Sequence, residues 1–181
     1  MAHELNVFLH AKCVGTLSLV SGRLSFQYSP QALADPAFVP LSQSLPGQPE
    51  PFDDHQSRPF FAGLLPEGRM RQLIAKQAQV SSQNEYGLLE FVGGECAGAV
   101  SLSIGDLPQH KADAGSVQWL SDAELAAVID ELPKRPMLAG KEGLRLSLAG
   151  AQDKLPVVYD GSRIGLPMHG SPSTHILKPP I

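Results

Sequence analysis

The sequence is poor in cysteine, in clustered charge and in long hydrophobic runs, and each absence excludes a class of protein. Its two cysteines, Cys13 and Cys96, form no C-x-x-C pair, which argues against a metal site or a disulfide scaffold and fits a reducing compartment. The net charge is −4 without runs of like charge, so no nucleic-acid surface is predicted. No stretch approaches the roughly 18 apolar residues of a membrane span, and residues 1–6 resemble no signal peptide. We therefore expect a cytoplasmic protein with no membrane contact.

The remaining composition is that of an ordinary globular protein. Hydrophobic residues make up 43% of the 181 residues and charged residues 18%, enough for a substantial core. A polar stretch over residues 105–116 contains proline and glycine, and it separates two predicted parts, residues 1–105 and residues 116–181.

The first part reads as a short strand meander followed by helices. Leu24, Phe26 and Tyr28 alternate with polar residues, which indicates a half-buried strand. Together with apolar runs at residues 5–9 and 14–20, this strand predicts an antiparallel meander. The proline-rich residues 34–58 are predicted to form an ordered loop. Helical spacing of apolar residues then predicts three helices, at residues 60–65, 67–77 and 85–92, and an apolar run predicts a strand at residues 99–103. Ser81 and Ser82 are predicted to cap the third helix, and Gly93 and Gly94 to end it.

The second part begins with a helix-start signal. Ser121 and Glu124 have the spacing of a capping box, and the helix that they open is predicted to bury Leu125, Val128, Ile129 and Leu132. Trp119 precedes the box, and we interpret it as a hydrophobic staple.

The last forty residues carry the clearest functional signal. They read as a strand, a small-residue loop at 149–154, a strand at 155–160 that ends in a turn, and a strand bearing Lys178. Small residues let backbone N–H groups approach phosphates, and a lysine on the third strand supplies a positive charge, as in the roof of a kinase-like nucleotide site. The loop has one glycine and matches neither a Walker A motif nor the usual kinase glycine loop. Taken alone, such a loop is more often an ordinary structural hairpin, and the alternative for Lys178 is an edge-strand lysine facing solvent.

Four sequence strings together resemble the HipA family, bacterial Ser/Thr kinases that act as toxins in toxin–antitoxin pairs. They are FFAGLLPEGR at residues 60–69, GGECAGAV at 93–100, SLAGAQDK at 147–154 and STHILKP at 173–179, in the family's order. The resemblance implies an α+β fold with a small antiparallel β-barrel-like subdomain and helices over residues 1–105. Residues 116–181 would then form the beginning of a kinase-like N-lobe sheet.

The resemblance also assigns site residues and cofactors. ATP, with Mg²⁺, would be bound in the complete kinase, and the matching ATP-binding positions are Ala149, Gly150, Ala151, Gln152, Asp153, Lys154 and Lys178. Ser147 matches the family's autophosphorylation position, although a serine between Leu146 and Leu148 is otherwise a structural residue. No catalytic base or metal-binding aspartate can be assigned within residues 1–181, so we expect this chain by itself to be inactive.

Two functions of different classes remain open from the sequence. The first is the N-terminal part of a HipA-like kinase toxin that phosphorylates a protein such as glutamyl-tRNA synthetase and causes growth arrest and persistence. Its partner would be a HipB-like helix-turn-helix antitoxin, which would bind DNA on behalf of the complex. The alternative is a stand-alone interaction module that binds or restrains a separate HipA-like kinase. A reading frame that continues past codon 181 would favour the kinase.

Overall fold

The computed structural model describes residues 3–10, 12–95, 99–106, 116–132, 154–168 and 171–178. The chain divides into two compact units, Met1–Leu107 and Pro108–Ile181. Each unit contains a four-stranded antiparallel sheet together with helix, so the predicted α+β class is confirmed. Within the described ranges, no helix is long and apolar enough to cross a membrane.

The sheet of the first unit contains the predicted meander. Its strands are β1 (His3–Leu9), β2 (Lys12–Val20), β3 (Arg23–Tyr28) and β4 (Val100–Ser103), in the order β3-β2-β1-β4. The strand prediction for residues 5–9, 14–20 and 23–28 is therefore confirmed. β4 returns from far along the chain to the free side of β1, where Val7 is paired with Leu102.

Along the chain, the helices of this unit come after β3 and before β4. They are α1 (Pro30–Leu33), α2 (Asp54–Gly63), α3 (Gly68–Ala78) and α4 (Glu85–Val92), followed by a 3₁₀ turn at Gly93–Glu95. The predicted loop over residues 34–58 is wrong in its last five residues, because α2 already begins at Asp54. Asp53 and Gln56 form a capping box that starts the helix early, and Pro59 is accommodated inside it.

The start of α4 also differs from the prediction. Asn84 caps the helix, since its side chain accepts a hydrogen bond from the backbone N–H of Gly87 at 3.0 Å. The predicted cap at Ser81 and Ser82 is therefore wrong. The helix ends at Val92 with Gly93 as its C-cap, as predicted, and the chain then continues into the 3₁₀ turn.

The N-terminal half of α2 binds the outer edge of β3. The Ser57 hydroxyl is fully buried; it accepts from the Phe26 N–H at 3.2 Å and donates to the Phe52 carbonyl at 3.2 Å. The Leu24 N–H donates to the Asp54 carboxylate at 2.6 Å. Because buried backbone donors must be paired, these side chains complete the hydrogen bonding of an edge strand that lacks a further neighbour along most of its length.

Arg58 on α2 is the centre of an ion-pair cluster that joins three helices to the β2–β3 turn. It donates to Asp54 at 2.6 Å, to Glu85 of α4, and to the Gly22 carbonyl at 3.0 Å. Arg71 of α3 lies 3.6 Å from the same Glu85 carboxylate. The hydrogen bond from Arg58 lowers the pKa of Asp54 below its usual value, and the Leu24 N–H lowers it further.

Replacing Asp54 with asparagine is expected to lower the free energy of unfolding at pH 7 by about 1–2 kcal/mol, since it removes a charge-assisted pair. A carboxyl group whose pKa is lower in the folded state stabilises the fold when the pH is above its unfolded pKa. This contribution to stability is lost as the pH falls below about 4. The difference between wild type and Asp54→Asn should therefore shrink between pH 7 and pH 3. Urea unfolding of both proteins at both pH values measures this difference. Asp106→Asn is the control, because Asp106 is exposed. An equal difference at both pH values would contradict the assigned ionisation.

The sheet of the second unit packs on one helix. Its strands are β5 (Val117–Leu120), β6 (Leu155–Tyr159), β7 (Ile164–Pro167) and β8 (His175–Leu177), in the order β5-β7-β6-β8, and the helix is α5 (Asp122–Glu131). The predicted capping box of Ser121 and Glu124 is confirmed. Strand β5 was not predicted, because four residues beside a polar stretch carry too little pattern to indicate a strand.

Trp119 does not form the predicted staple. The residue directly before the Ser121 cap is Leu120, which packs with Leu125 on the core of this unit. Because neighbouring strand residues point to opposite faces, Trp119 lies on the sheet face opposite Leu120. There the Arg163 guanidinium lies 4.2 Å from the centroid of the Trp119 ring. Gly165 is needed opposite Trp119, since a Cβ there would lie 2.9 Å from the Gln118 carbonyl oxygen and 2.5 Å from a Val117 methyl carbon.

Candidate functional site

The two faces of the second sheet have different roles. One face, which we call the core face, packs against α5 and forms the buried cluster of Val128, Leu132, Leu155, Val157 and Leu166, with Leu120, Ile164 and Leu177 at its margin. Because successive side chains of a strand point to opposite sides, Pro156 and Ile176 lie on the other face, which we call the lysine face.

Lys154 and Lys178 come together at one end of this sheet. β6 and β8 are antiparallel, with Leu155 opposite Leu177 and Pro156 opposite Ile176. Lys154 directly precedes β6 and Lys178 directly follows β8, so the same register sets them side by side. Directly opposed residues of antiparallel strands have Cα atoms about 5 Å apart. Two cations 24 positions apart in the sequence thus occupy adjacent strand ends.

If the side-chain alternation of β6 and β8 is extended by one residue, to Lys154 and to Lys178, both lysines lie on the lysine face. Lys154 shares the parity of Pro156, and Lys178 shares the parity of Ile176. Lys178 is exposed and Lys154 is half-buried. Each ammonium group can donate up to three hydrogen bonds to phosphate oxygens. The arrangement can therefore hold a ligand with several phosphate oxygens.

The structure brings together two of the seven predicted ATP-binding residues. Ala149, Gly150, Ala151, Gln152 and Asp153 lie outside the described residues, as does the predicted phosphorylation position Ser147. The loop residues immediately precede Lys154 in the chain. Their assignment as phosphate-cradling residues stays a prediction.

The predicted turn at residues 160–162 joins β6 to β7. The Asp160 carboxylate accepts from the N–H groups of Arg163 at 2.9 Å and Ser162 at 3.0 Å, and these bonds hold its pKa well below the usual value. The Arg163 side chain also pairs with Asp160 at 2.9 Å. This carboxylate is therefore used to hold the hairpin closed.

His175 lies away from the two lysines. Its ring packs edge-on against Tyr159 with centroids 5.5 Å apart, and its Nδ1 is 2.8 Å from the Thr174 hydroxyl. It is opposite Val157 and so lies on the core face, at the exposed edge of the sheet. His175 is therefore used in local contacts at the sheet edge, away from the lysine face.

Metal-binding side chains are not clustered in the described ranges, where no group of three His, Cys, Asp or Glu residues could hold an ion. The lysine pair fits phosphate, but the described residues do not fit Mg²⁺ by themselves.

A concave region lies in the first unit, but each of the charged side chains that line it is already paired. This cleft of about 560 Å³ is lined by Arg58, Gly68, Arg71, Gln72, Ser82, Gln83 and Glu85. Arg58 and Arg71 both pair with Glu85, and Arg71 also donates to the Ser82 carbonyl at 2.6 Å. The cleft is thus part of the ion-pair cluster that joins the helices.

Comparison with known proteins agrees with this architecture. Y4mE of Sinorhizobium fredii, described as a candidate kinase, is 44% identical over 183 residues, covering 98% of this chain and 43% of that protein. The serine/threonine-protein kinase toxin HipA of Shewanella oneidensis is 27% identical over 169 residues, covering 88% of this chain and 38% of the toxin. The chain thus spans about two fifths of the length of these relatives.

A solved structure shares the fold. It is the complex of Shewanella oneidensis HipA with HipB and operator DNA, which matches with a TM-score of 0.64 at 24% identity, covering 95% of this chain and 39% of that one. The family description that matches is the HipA N-terminal domain, over residues 5–103, more than half of the chain. With its motifs, its fold and these relatives in agreement, the chain belongs to the HipA family.

Proposed function

We propose that this chain is the N-terminal part of an ATP-dependent Ser/Thr protein kinase, and that residues 116–181 begin its N-lobe. The observation that carries the proposal is the placement of Lys154 and Lys178 at adjacent strand ends on one sheet face. Kinases achieve phosphoryl transfer largely by positioning and by neutralising phosphate charge, and two neighbouring lysines supply both functions. Relatives that carry kinase names over most of this chain support the same reading.

Each lysine has a distinct part in the proposed site. Lys178 is fixed by β8 and donates to phosphate oxygens as a point charge. Lys154 is fixed by β6 at the end of the small-residue loop, where its ammonium and the loop N–H groups would bind the same polyphosphate. ATP supplies the transferred phosphoryl group. Residues that hold Mg²⁺ and activate the acceptor hydroxyl would come from the rest of the kinase.

The proposed partners follow from the structural relative. In that complex HipA is assembled with HipB and operator DNA. We propose a HipB-like helix-turn-helix antitoxin as partner of this protein, with DNA contacted through it, since the chain itself has a net charge of −4. An aminoacyl-tRNA synthetase such as glutamyl-tRNA synthetase is the proposed substrate, and growth arrest the proposed outcome.

Full-length protein incubated with labelled ATP and Mg²⁺ is expected to incorporate phosphate at Ser147. By the family resemblance Ser147 would lie beside the nucleotide, where the charge of about −2 on a phosphoserine would repel the nucleotide phosphates. The phosphorylated protein should therefore no longer bind ATP. Mass spectrometry locates the phosphate, and titration with ATP measures binding before and after.

Ser147→Ala is the matched variant for this experiment. It should bind ATP like the unmodified wild type and keep its kinase activity through prolonged incubation. Absence of any phosphate transfer by the full-length protein would refute the proposed kinase. Transfer with phosphate only at other residues would refute the role of Ser147 alone.

A second function is favoured by one specific observation, the compactness of the first unit. Met1–Leu107 has its own sheet and its own buried core, and the family match lies within it. This unit could act as an interaction module that binds a separate HipA-like kinase. Residues 1–107 expressed alone should then co-purify with such a kinase and alter its activity.

A further inference from the structure

Strand β8 is short, and its side chains contribute little to the core of the second unit. His175 and Ile176 are exposed, whereas Leu177 packs at the margin of the buried cluster. The register of a strand is strongly specified when one of its faces is buried and weakly specified otherwise. A slip of one residue along β6 would move Lys178 from the lysine face to the core face. Side-chain burial alone therefore gives weak control over the placement of this lysine.

Thr174 directly precedes β8 and attaches the strand to β6 by two hydrogen bonds. Its N–H donates to the Val157 carbonyl at 2.9 Å, and its hydroxyl oxygen accepts from the Tyr159 N–H at 2.9 Å. β8 begins only at His175, so a side-chain oxygen serves the Tyr159 N–H where a longer strand would supply a backbone carbonyl. Because one residue makes both bonds, they constrain the position of β8 along β6.

His175 helps to hold the Thr174 hydroxyl in place. Its Nδ1 lies 2.8 Å from the hydroxyl oxygen, and its ring packs edge-on against the Tyr159 ring. A hydroxyl that donates to Nδ1 keeps its lone pairs available for the Tyr159 N–H. The three residues thus form a local cluster at the end of β8 that lies away from Lys178.

We propose that Thr174 is a positioning residue of the nucleotide site, whose hydroxyl fixes the register of β8 on β6 and thereby keeps Lys178 on the lysine face. This inference rests on the proposed nucleotide site. Thr174 lies four residues before Lys178, about 13 Å at the rise of a strand, so we do not expect it to contact the phosphate that Lys178 binds. It acts through β8, whose three residues transmit a constraint at their start to the lysine that follows their end.

A double-mutant cycle in the full-length protein tests this inference. Thr174→Val keeps the shape of the side chain but removes the hydrogen-bond acceptor. It should weaken ATP binding about threefold to tenfold, the effect of losing one hydrogen bond. In the Lys178→Ala background, Thr174→Val should cause no further loss, because the residue through which it acts is gone. Isothermal titration with ATP measures the four affinities.

Two further variants separate the hydroxyl from other effects. Thr174→Ser retains the hydroxyl and should bind ATP as the wild type does. Thr16→Val is the matched control, since Thr16 is the other threonine of the chain and lies in β2 of the first unit. Its replacement should leave ATP binding unchanged. Thermal unfolding of every variant reports stability separately, because a purely structural loss would lower the Tm equally with and without Lys178.

Unchanged ATP binding by Thr174→Val would overturn the inference. An equal loss in the Lys178→Ala background would do so as well, because Thr174 would then act on the site by another route. A loss as large for Thr174→Ser as for Thr174→Val would also contradict it, since the hydroxyl would then be irrelevant. If the wild-type protein does not bind ATP, or if Lys178→Ala binds it normally, the proposed nucleotide site fails together with the inference. If Lys178→Ala weakens ATP binding and Thr174→Val does not, only the inference fails.

Discussion

Lys178→Ala in the full-length protein is expected to weaken ATP binding by about tenfold to a hundredfold and to abolish growth arrest. The lysine would donate a charge-assisted hydrogen bond to phosphate, and such bonds contribute about 1.5–3 kcal/mol. Its side chain is exposed, so the fold does not depend on it. Isothermal titration with ATP measures the binding loss, and thermal unfolding checks that the protein remains folded.

Lys76→Ala provides the control for this experiment. Lys76 is also exposed, but it lies in the last turn of α3 in the first unit. Its replacement should leave ATP binding and growth arrest as in wild type. Normal arrest by Lys178→Ala at wild-type expression would show that Lys178 is a surface residue, and the nucleotide-site proposal would then be wrong.

Phe26→Ala is expected to lower the free energy of unfolding by about 3–5 kcal/mol, a large share of a typical domain stability. Phe26 is fully buried in β3, and its ring contacts three other buried aromatic rings. Centroid distances are 4.7 Å to Tyr28, 5.4 Å to Phe61 and 6.1 Å to Phe52. Its truncation leaves a cavity where the sheet, the long loop and α2 meet. Urea unfolding followed by circular dichroism measures the change.

Phe91→Ala separates this packing effect from the loss of any phenylalanine. Phe91 lies on α4 in the same unit, and 52% of its surface is exposed. Its replacement should change the free energy of unfolding by less than about 1 kcal/mol. A loss as large as that of Phe26→Ala would mean that Phe91 is covered by another part of the protein.

Short-range patterns account for the parts of the fold that were predicted correctly. The alternation of Leu24, Phe26 and Tyr28 predicts β3, and all three are buried. Ser121 and Glu124 predict the start of α5, because a capping box uses only groups three residues apart. The errors at α2 and α4 arise where two local signals compete. Pro59 and the surrounding prolines obscured the Asp53 cap, and serine residues near Asn84 offered a false one.

The sequence by itself determined the family, the α+β class, and the identity of Lys154 and Lys178 as candidate phosphate ligands, because these depend on residue type, spacing and short-range pattern. Only the tertiary structure decided the strand order β5-β7-β6-β8 and the register that sets these lysines side by side. It alone also put Ile176 on their face and His175 on the other. Register depends on backbone hydrogen bonds and burial shared between distant segments, and a shift of one residue would exchange the two faces. Short-range sequence patterns do not specify that choice.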